Sequence, residues 1–261
     1  MNDFHMLKID AIAQTSRLNH INAGLKILTG IVSLIACIAS NTWYSILFVM
    51  ISMMYLTVCA AGVKWSIYLQ LLKIPFIFLL LGAVAVLIEV SDIRTGIAAL
   101  NIGSVYFCIT ADSVIKAVYI TFRAFGAVTC LYMISLTTTL SEIIGVLRVL
   151  KVPEIMIELM YLIYRYMVIL LEIHHNMTIS ARSRLGYVNR KNTYRSMMGI
   201  AHNLLLLSFK KASVSFDAMV SRGYDGKIEF WQNKKRLHKK ECVYAGIYFV
   251  LLTLIFVLER I

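Results

Sequence analysis

The chain has 261 residues, 59% of them hydrophobic, with a mean hydropathy of +0.75 and a formal net charge of +12. Soluble domains are about 45–50% apolar, so this composition excludes an ordinary soluble globular protein and reads as several membrane spans. The positive charge then reads as a positive-inside signal and not as nucleic-acid binding.

The first 20 residues are polar and mixed in charge, without the contiguous apolar core of a signal peptide. A span needs about 20 apolar residues, with a range of about 17–25, and five segments fall in that range: 23–40, 44–63, 74–90, about 115–138, and 242–258. In the fourth, Lys116 lies near one end and can snorkel, whereas Arg123 lies deeper and must face protein. Residues 64–73, with Lys at both ends, read as a short loop on the positive side. The segment 91–112 reads as the opposite loop. Leu100, Ile102, Val105, Phe107 and Ile109 alternate around an Asn-Ile-Gly-Ser turn, which predicts a small exofacial hairpin near 97–110.

Residues 139–240 hold 17 Lys and Arg against 7 Asp and Glu, a net of +10. Such a block belongs in the cytoplasm. Alternation then puts the N-terminus inside and the C-terminus outside. After Pro153 a helix of about 30 residues, roughly 45 Å long, is predicted to Arg184. A polar turn, "YVNRKNTYRS", precedes a second helix over about 196–222. The apolar runs 155–171 and 197–209 read as helices packed in or along the membrane surface, the first because it carries Glu158 and Arg165 on one face. The basic run 233–240 is expected at lipid headgroups. The expected fold is an all-α polytopic membrane protein of about five transmembrane helices. It divides into an N-terminal membrane part (1–138), a cytoplasmic or interfacial helical block (139–240) and a last span (241–261).

Two similar helix ends stand out in that block, "ARSRLGY" (181–187) and "AMVSRGYDG" (218–226). Ala181 and Arg184 are three apart, and Ala218 and Arg222 are four apart, so each pair shares a helix face. The small residue permits close approach, and the Arg offers a five-donor fork to carboxylates or carbonyls. Gly186 and Gly223 read as C-cap residues, and capping alone is the plain alternative for each motif taken singly. Arg182 competes with Arg184, but helix phase favours Arg184. Glu172 and His175, with His174 between, resemble half a di-metal site; the other half is missing. The five cysteines are scattered, without a CxxC pair. No P-loop, HExxH or GxSxG occurs.

Three stretches together resemble the transmembrane T component of energy-coupling factor transporters, in the cobalt/nickel CbiQ-type branch. They are "LTTTLSEIIGVLRVLKVP" (136–153), "YRYMVILLEIHHNMTISARSRLGY" (164–187) and "FDAMVSRGYDG" (216–226). The resemblance runs from about residue 19 to the C-terminus. It implies a non-catalytic subunit in a prokaryotic inner membrane, whose two Arg-tipped helices dock on two ATP-binding cassette ATPase subunits. ATP and Mg would bind in those partners, and this chain would hold no cofactor and no metal. It further implies a substrate-binding membrane S component of CbiM type, a small accessory membrane subunit, and cobalt or nickel as cargo. Ala181, Arg184, Gly186, Ala218, Arg222 and Gly223 would be the coupling residues. Leu185, between Arg184 and Gly186, departs from the family pattern. So does "NAGLK" (22–26), where only Lys26 matches the usual entry to the first span. A self-sufficient secondary transporter would show inverted repeats and midplane charges. A membrane-embedded enzyme would need converging polar residues, for which only Glu172, His174 and His175 offer themselves.

Overall fold

The structure, a computed structural model, describes residues 5–40, 42–87, 89–91, 98–102, 105–226, 235 and 239–258. It forms two compact units, one of Met1–Lys8 with Leu140–Lys234 and the other of Ile9–Thr139 with Lys235–Ile261.

The second unit carries the apolar helices. A helix α1 (His5–Thr15) and a short 3-10 turn (Arg17–His20) lead to α2 (Ala23–Ala39). There follow α3 (Trp43–Tyr55), running on as a π-helical stretch (Leu56–Ala60), then α4 (Trp65–Leu87), α5 (Ala111–Thr137) and finally α9 (Lys239–Leu258). Asn22 starts α2 in two ways. Its side-chain oxygen accepts from the Gly24 N–H at 2.9 Å, and its amide donates to the Lys235 carbonyl at 3.0 Å. Lys235 in turn donates to the Asn19 side chain at 2.7 Å. The chain entering the last helix is thereby tied to the entry of α2.

α5 is the centre of this unit, with α2, α3 and α4 packed around it. Cys37, Ile46, Val49, Met53, Cys130, Met133 and Leu252 form one buried cluster, and Ala61, Val63, Tyr68, Leu72 and Leu136 a second. The Tyr248 hydroxyl bridges Ser33 at 2.9 Å and Ser52 at 3.3 Å, fastening α9 to α2 and α3. α2 and α5 run antiparallel in close contact: a Cβ on Gly126 would sit 2.8 Å from Cys37 Sγ. Each of these two helices is finished by a cation from the other. Lys26, 3% exposed, donates to the Thr137 carbonyl at 2.8 Å. Arg123 donates to the Ser40 carbonyl, which also accepts from the Tyr119 hydroxyl at 2.7 Å. The deep cation of the fourth span is thus directed into protein, where it meets the negative end of a helix dipole.

Two boundaries differ from the sequence reading. Residues 65–73 are not a loop: α4 begins at Trp65, because Tyr68 and Leu72, one turn apart, bury into the second cluster. Pro75 lies inside this helix. A proline cannot donate to the carbonyl four residues back, and here the Tyr132 hydroxyl donates to that carbonyl, Leu71 O, at 3.0 Å. At the far end, α4 stops at Leu87, and Glu89–Ser91 form a strand, β1. β2 (Ala98–Ile102) and β3 (Val105–Ile109) make the expected antiparallel hairpin, and β1 pairs on the other side of β3, in the order β1-β3-β2. This small sheet is an addition to a helical fold.

The other unit consists of α6 (Leu140–Val149), α7 (Glu154–Ser183) and α8 (Arg190–Val220). α7 matches the predicted 30-residue helix. α8 begins at Arg190 and not near 196: Asn189 is its N-cap residue, and its carbonyl accepts from the Thr193 N–H at 2.8 Å. α6 packs on the first turns of α7, where Ile144, Ile157 and Glu158 are buried, Glu158 at 9% exposure. Arg165, seven residues on, is exposed. α7 and α8 form an antiparallel pair. Tyr166 and Ser215 hydrogen-bond through their hydroxyls at one end, and Ser196 donates to the Gly186 carbonyl at 2.9 Å at the other. Of the run 233–240, residues 233, 234 and 236–238 lie outside the described residues.

Candidate functional site

The two Arg-bearing segments end α7 and α8 with the same backbone device. At the α7 end Leu185 is left-handed (φ 59). Its N–H donates to Arg182 O at 3.1 Å, and the Gly186 N–H reaches back to Ala181 O at 2.8 Å. At the α8 end Gly223 is left-handed (φ 81). Its N–H donates to Val220 O at 3.0 Å, and the Tyr224 N–H to Met219 O at 3.1 Å. Both are Schellman motifs, which satisfy carbonyls that a helix end leaves free. In each, the residue immediately before the left-handed one is the Arg. Backbone register therefore pairs Arg184 with Arg222, and it separates Arg184 from Arg182, whose guanidinium lies 5.9 Å from the Tyr187 ring centroid.

The same register corrects two sequence equivalences. Gly223 is a left-handed cap, but Gly186 is not; Leu185 takes that position. Gly186 is needed for space instead, since a Cβ there would lie 2.5 Å from Ser196 Oγ and 2.8 Å from Ala181 O. Ala181 corresponds to Met219, so Ala218 is displaced by one residue. Sequence reasoning also missed that α6 ends likewise. Lys151 is left-handed (φ 59) and donates to Arg148 O at 3.1 Å, and the Val152 N–H donates to Leu147 O at 3.3 Å. Nothing in a Lys or a Leu announces a positive φ.

Arg184, Arg222 and Ala218 are exposed, and Ala181 is half-buried. Because α7 and α8 are antiparallel, Arg184 lies beside the start of α8 and Arg222 just beyond its end. With 31 residues in α8, the rise of 1.5 Å per residue separates the two arginines by about 45 Å. A cleft of about 540 Å³ opens between α7 and α8 at the Arg184 end. Ala181, Arg184 and Gly186 line it, together with Asn176, Ser196 and Asn203. Glu172, His174 and His175 follow one another on α7, and no group of three or more His, Cys, Asp or Glu able to hold a metal occurs among the described residues. Cys37 and Cys130 are buried, Cys59 and Cys242 are exposed, and all four are free thiols.

The helices define the class first. Trp43–Ala60, Trp65–Leu87 and Asp112–Thr137 are long and apolar enough to cross a bilayer, and Ala23–Ala39 and Glu241–Val257 are shorter apolar helices. This is a multi-pass membrane protein. Comparison with known proteins gives the family: residues 14–232 match the family model for CbiQ, described as cobalt transport protein, and the chain belongs to that family. An uncharacterized protein of Methanocaldococcus jannaschii is 26% identical over 252 residues, 97% of this chain and 93% of that protein. A protein of Methanocorpusculum labreanum, named as a fused cobalt transport protein CbiMQ, is 32% identical over 227 residues, 86% of this chain but 37% of that protein. The cobalt transport protein CbiQ of Rhodobacter capsulatus is 26% identical over 220 residues, 84% of this chain and 85% of that one.

Proposed function

We propose that this chain is the transmembrane coupling subunit of an energy-coupling-factor importer for cobalt, and that Arg184 and Arg222 are its contacts with two ATPase subunits. The carrying observation is the pair of Arg residues set identically before the left-handed turns that end α7 and α8. A bar of two antiparallel helices with a guanidinium at each end suits a dimeric motor with two equivalent grooves. Each exposed fork can meet a carboxylate, and closure of the ATPase pair on ATP would draw the two ends together or apart. The chain itself would hydrolyse nothing. The name of the fused CbiMQ relative supports a CbiM-type membrane protein as the substrate-binding partner. The net +10 of residues 139–240 supports a cytoplasmic position for the helical block and a cytoplasmic N-terminus in a prokaryotic inner membrane.

The test is co-purification with the cognate ATPase pair, using wild type, Arg184→Glu, Arg222→Glu, the double variant and Arg182→Glu as control. A docking Arg made repulsive should weaken its contact by several kcal/mol. The double variant is expected to lose the ATPases, and the Arg182 control to keep them. If every variant still binds and uptake is normal, the motifs are helix caps and the reading is wrong.

A further inference from the structure

The two Arg ends share a backbone but not their surroundings. At the α7 end, the Ser196 hydroxyl holds the Gly186 carbonyl, and Gly186 has no room for a Cβ, so the turn is braced against the first turns of α8. Beside it lies the 540 Å³ cleft. At the α8 end, a Cβ on Gly223 or Gly226 would meet no atom within 4 Å among the described residues beyond its chain neighbours, and the Ser221 hydroxyl donates locally, to Ala218 O at 3.0 Å. One end is a tip with a recess and a brace; among the described residues the other end shows no such brace.

The recess has a definite chemistry. Its polar lining is Asn176, Ser180, Arg184, Ser196 and Asn203, with no Asp or Glu among the described residues that line it. Ser180 and Ser196 donate their hydroxyl hydrogens to backbone carbonyls, of Asn176 at 3.0 Å and Gly186 at 2.9 Å. The donors left for a guest are the guanidinium and the two carboxamides, which suits an anionic acceptor. Gly199 lines the same cleft with open space where a side chain would stand, leaving the surface of α8 accessible to an inserted group.

We infer that the cleft between α7 and α8 is a socket for a carboxylate-bearing side chain of the ATPase docked at Arg184, which makes that end the anchor and the Arg222 end the looser contact. The inference rests on the coupling role proposed for the two arginines. It adds Asn176, Asn203 and Gly199 to the docking surface, and it makes a T subunit impose asymmetry even on two identical ATPase copies.

The experiment is a mutant cycle on ATPase affinity, measured with the purified chain and the ATPase pair. Asn203→Asp is isosteric and places a negative charge in the socket; Gly199→Leu fills it. Each is expected to weaken binding about tenfold, the usual scale for a lost or reversed hydrogen bond to a charged group, with helix content unchanged by circular dichroism. Asn203→Asp should add less than about twofold on top of Arg184→Ala, because both remove one contact, yet keep its full effect on top of Arg222→Ala. If Asn203→Asp and Gly199→Leu bind like wild type while Arg184→Glu and Arg222→Glu do not, the socket is overturned and the coupling role stands. If Asn203→Asp is equally additive with both Arg variants, the asymmetry is overturned. If the double Arg→Glu variant also binds normally, the coupling role fails and the socket with it.

Discussion

Lys26 Nζ donates to the backbone carbonyl of Thr137 at 2.8 Å, so a cation near the start of α2 closes the end of α5. The last carbonyls of a helix lack intrahelical partners, and in a bilayer no water replaces them. A buried bond from a charged donor is therefore worth about 2 kcal/mol here. Lys26→Met is expected to destabilise the protein by that amount in detergent, read as a lowered thermal midpoint. An unchanged midpoint would mean that other donors serve Thr137 equally well.

The opposite end of the same helix pair is closed by Arg123 and Tyr119, which both donate to Ser40 O. The two side chains also bond to each other at 2.7 Å, and the guanidinium lies 4.8 Å from the Tyr119 ring centroid. Two donors on one acceptor should not act independently. Tyr119→Phe alone is expected to cost about 1 kcal/mol, with Arg123→Leu costing more. The double variant should cost less than the sum, which thermal unfolding of the four proteins would reveal.

Pro75 and Tyr132 make a sharper pair. The proline removes the N–H that Leu71 O would have received, and the Tyr132 hydroxyl replaces it at 3.0 Å. Tyr132→Phe should leave that carbonyl unsatisfied within the membrane, at a cost of about 1–3 kcal/mol. In a Pro75→Ala background the helix can bond Leu71 O itself, so the same Tyr132→Phe change should then cost much less. Equal costs in both backgrounds would show that the hydroxyl matters for packing only.

These examples also mark what the sequence could carry. Hydropathy located every apolar helix, because burial in lipid depends on composition over about 20 residues and little on neighbours. The start of α4 was misread because Lys64 and Lys73 bracket the segment as a charged loop, while the burial of Tyr68 and Leu72 depends on a cluster shared with the distant Leu136. β1 was assigned to a span because Glu89 and Val90 follow an apolar run, while its pairing with β3 is made across about 18 residues. At the candidate site, the positions of Arg184 and Arg222 at helix ends were legible from local signals. The cleft was not, since Asn176 and Asn203 come to line one cleft only when two long helices pack.

Leu185 separates capping from docking most directly. It holds a left-handed φ of 59° that costs a residue with a Cβ about 1 kcal/mol, and its side chain is 69% exposed beside Arg184. Glycine occupies the corresponding position, 223, at the other helix end. Leu185→Gly should therefore raise stability by about 1 kcal/mol, an effect read as a higher thermal midpoint. Gly186→Ala, with Ser196 Oγ only 2.5 Å from the new Cβ, should lower it. If the turn serves only as a cap, ATPase binding and uptake should be indifferent to the change or follow stability upward with Leu185→Gly. If the exposed leucine touches the ATPase beside Arg184, ATPase affinity should fall while the protein itself becomes more stable. Opposite signs from one substitution cannot come from a cap alone, because a better cap has no reason to release a partner.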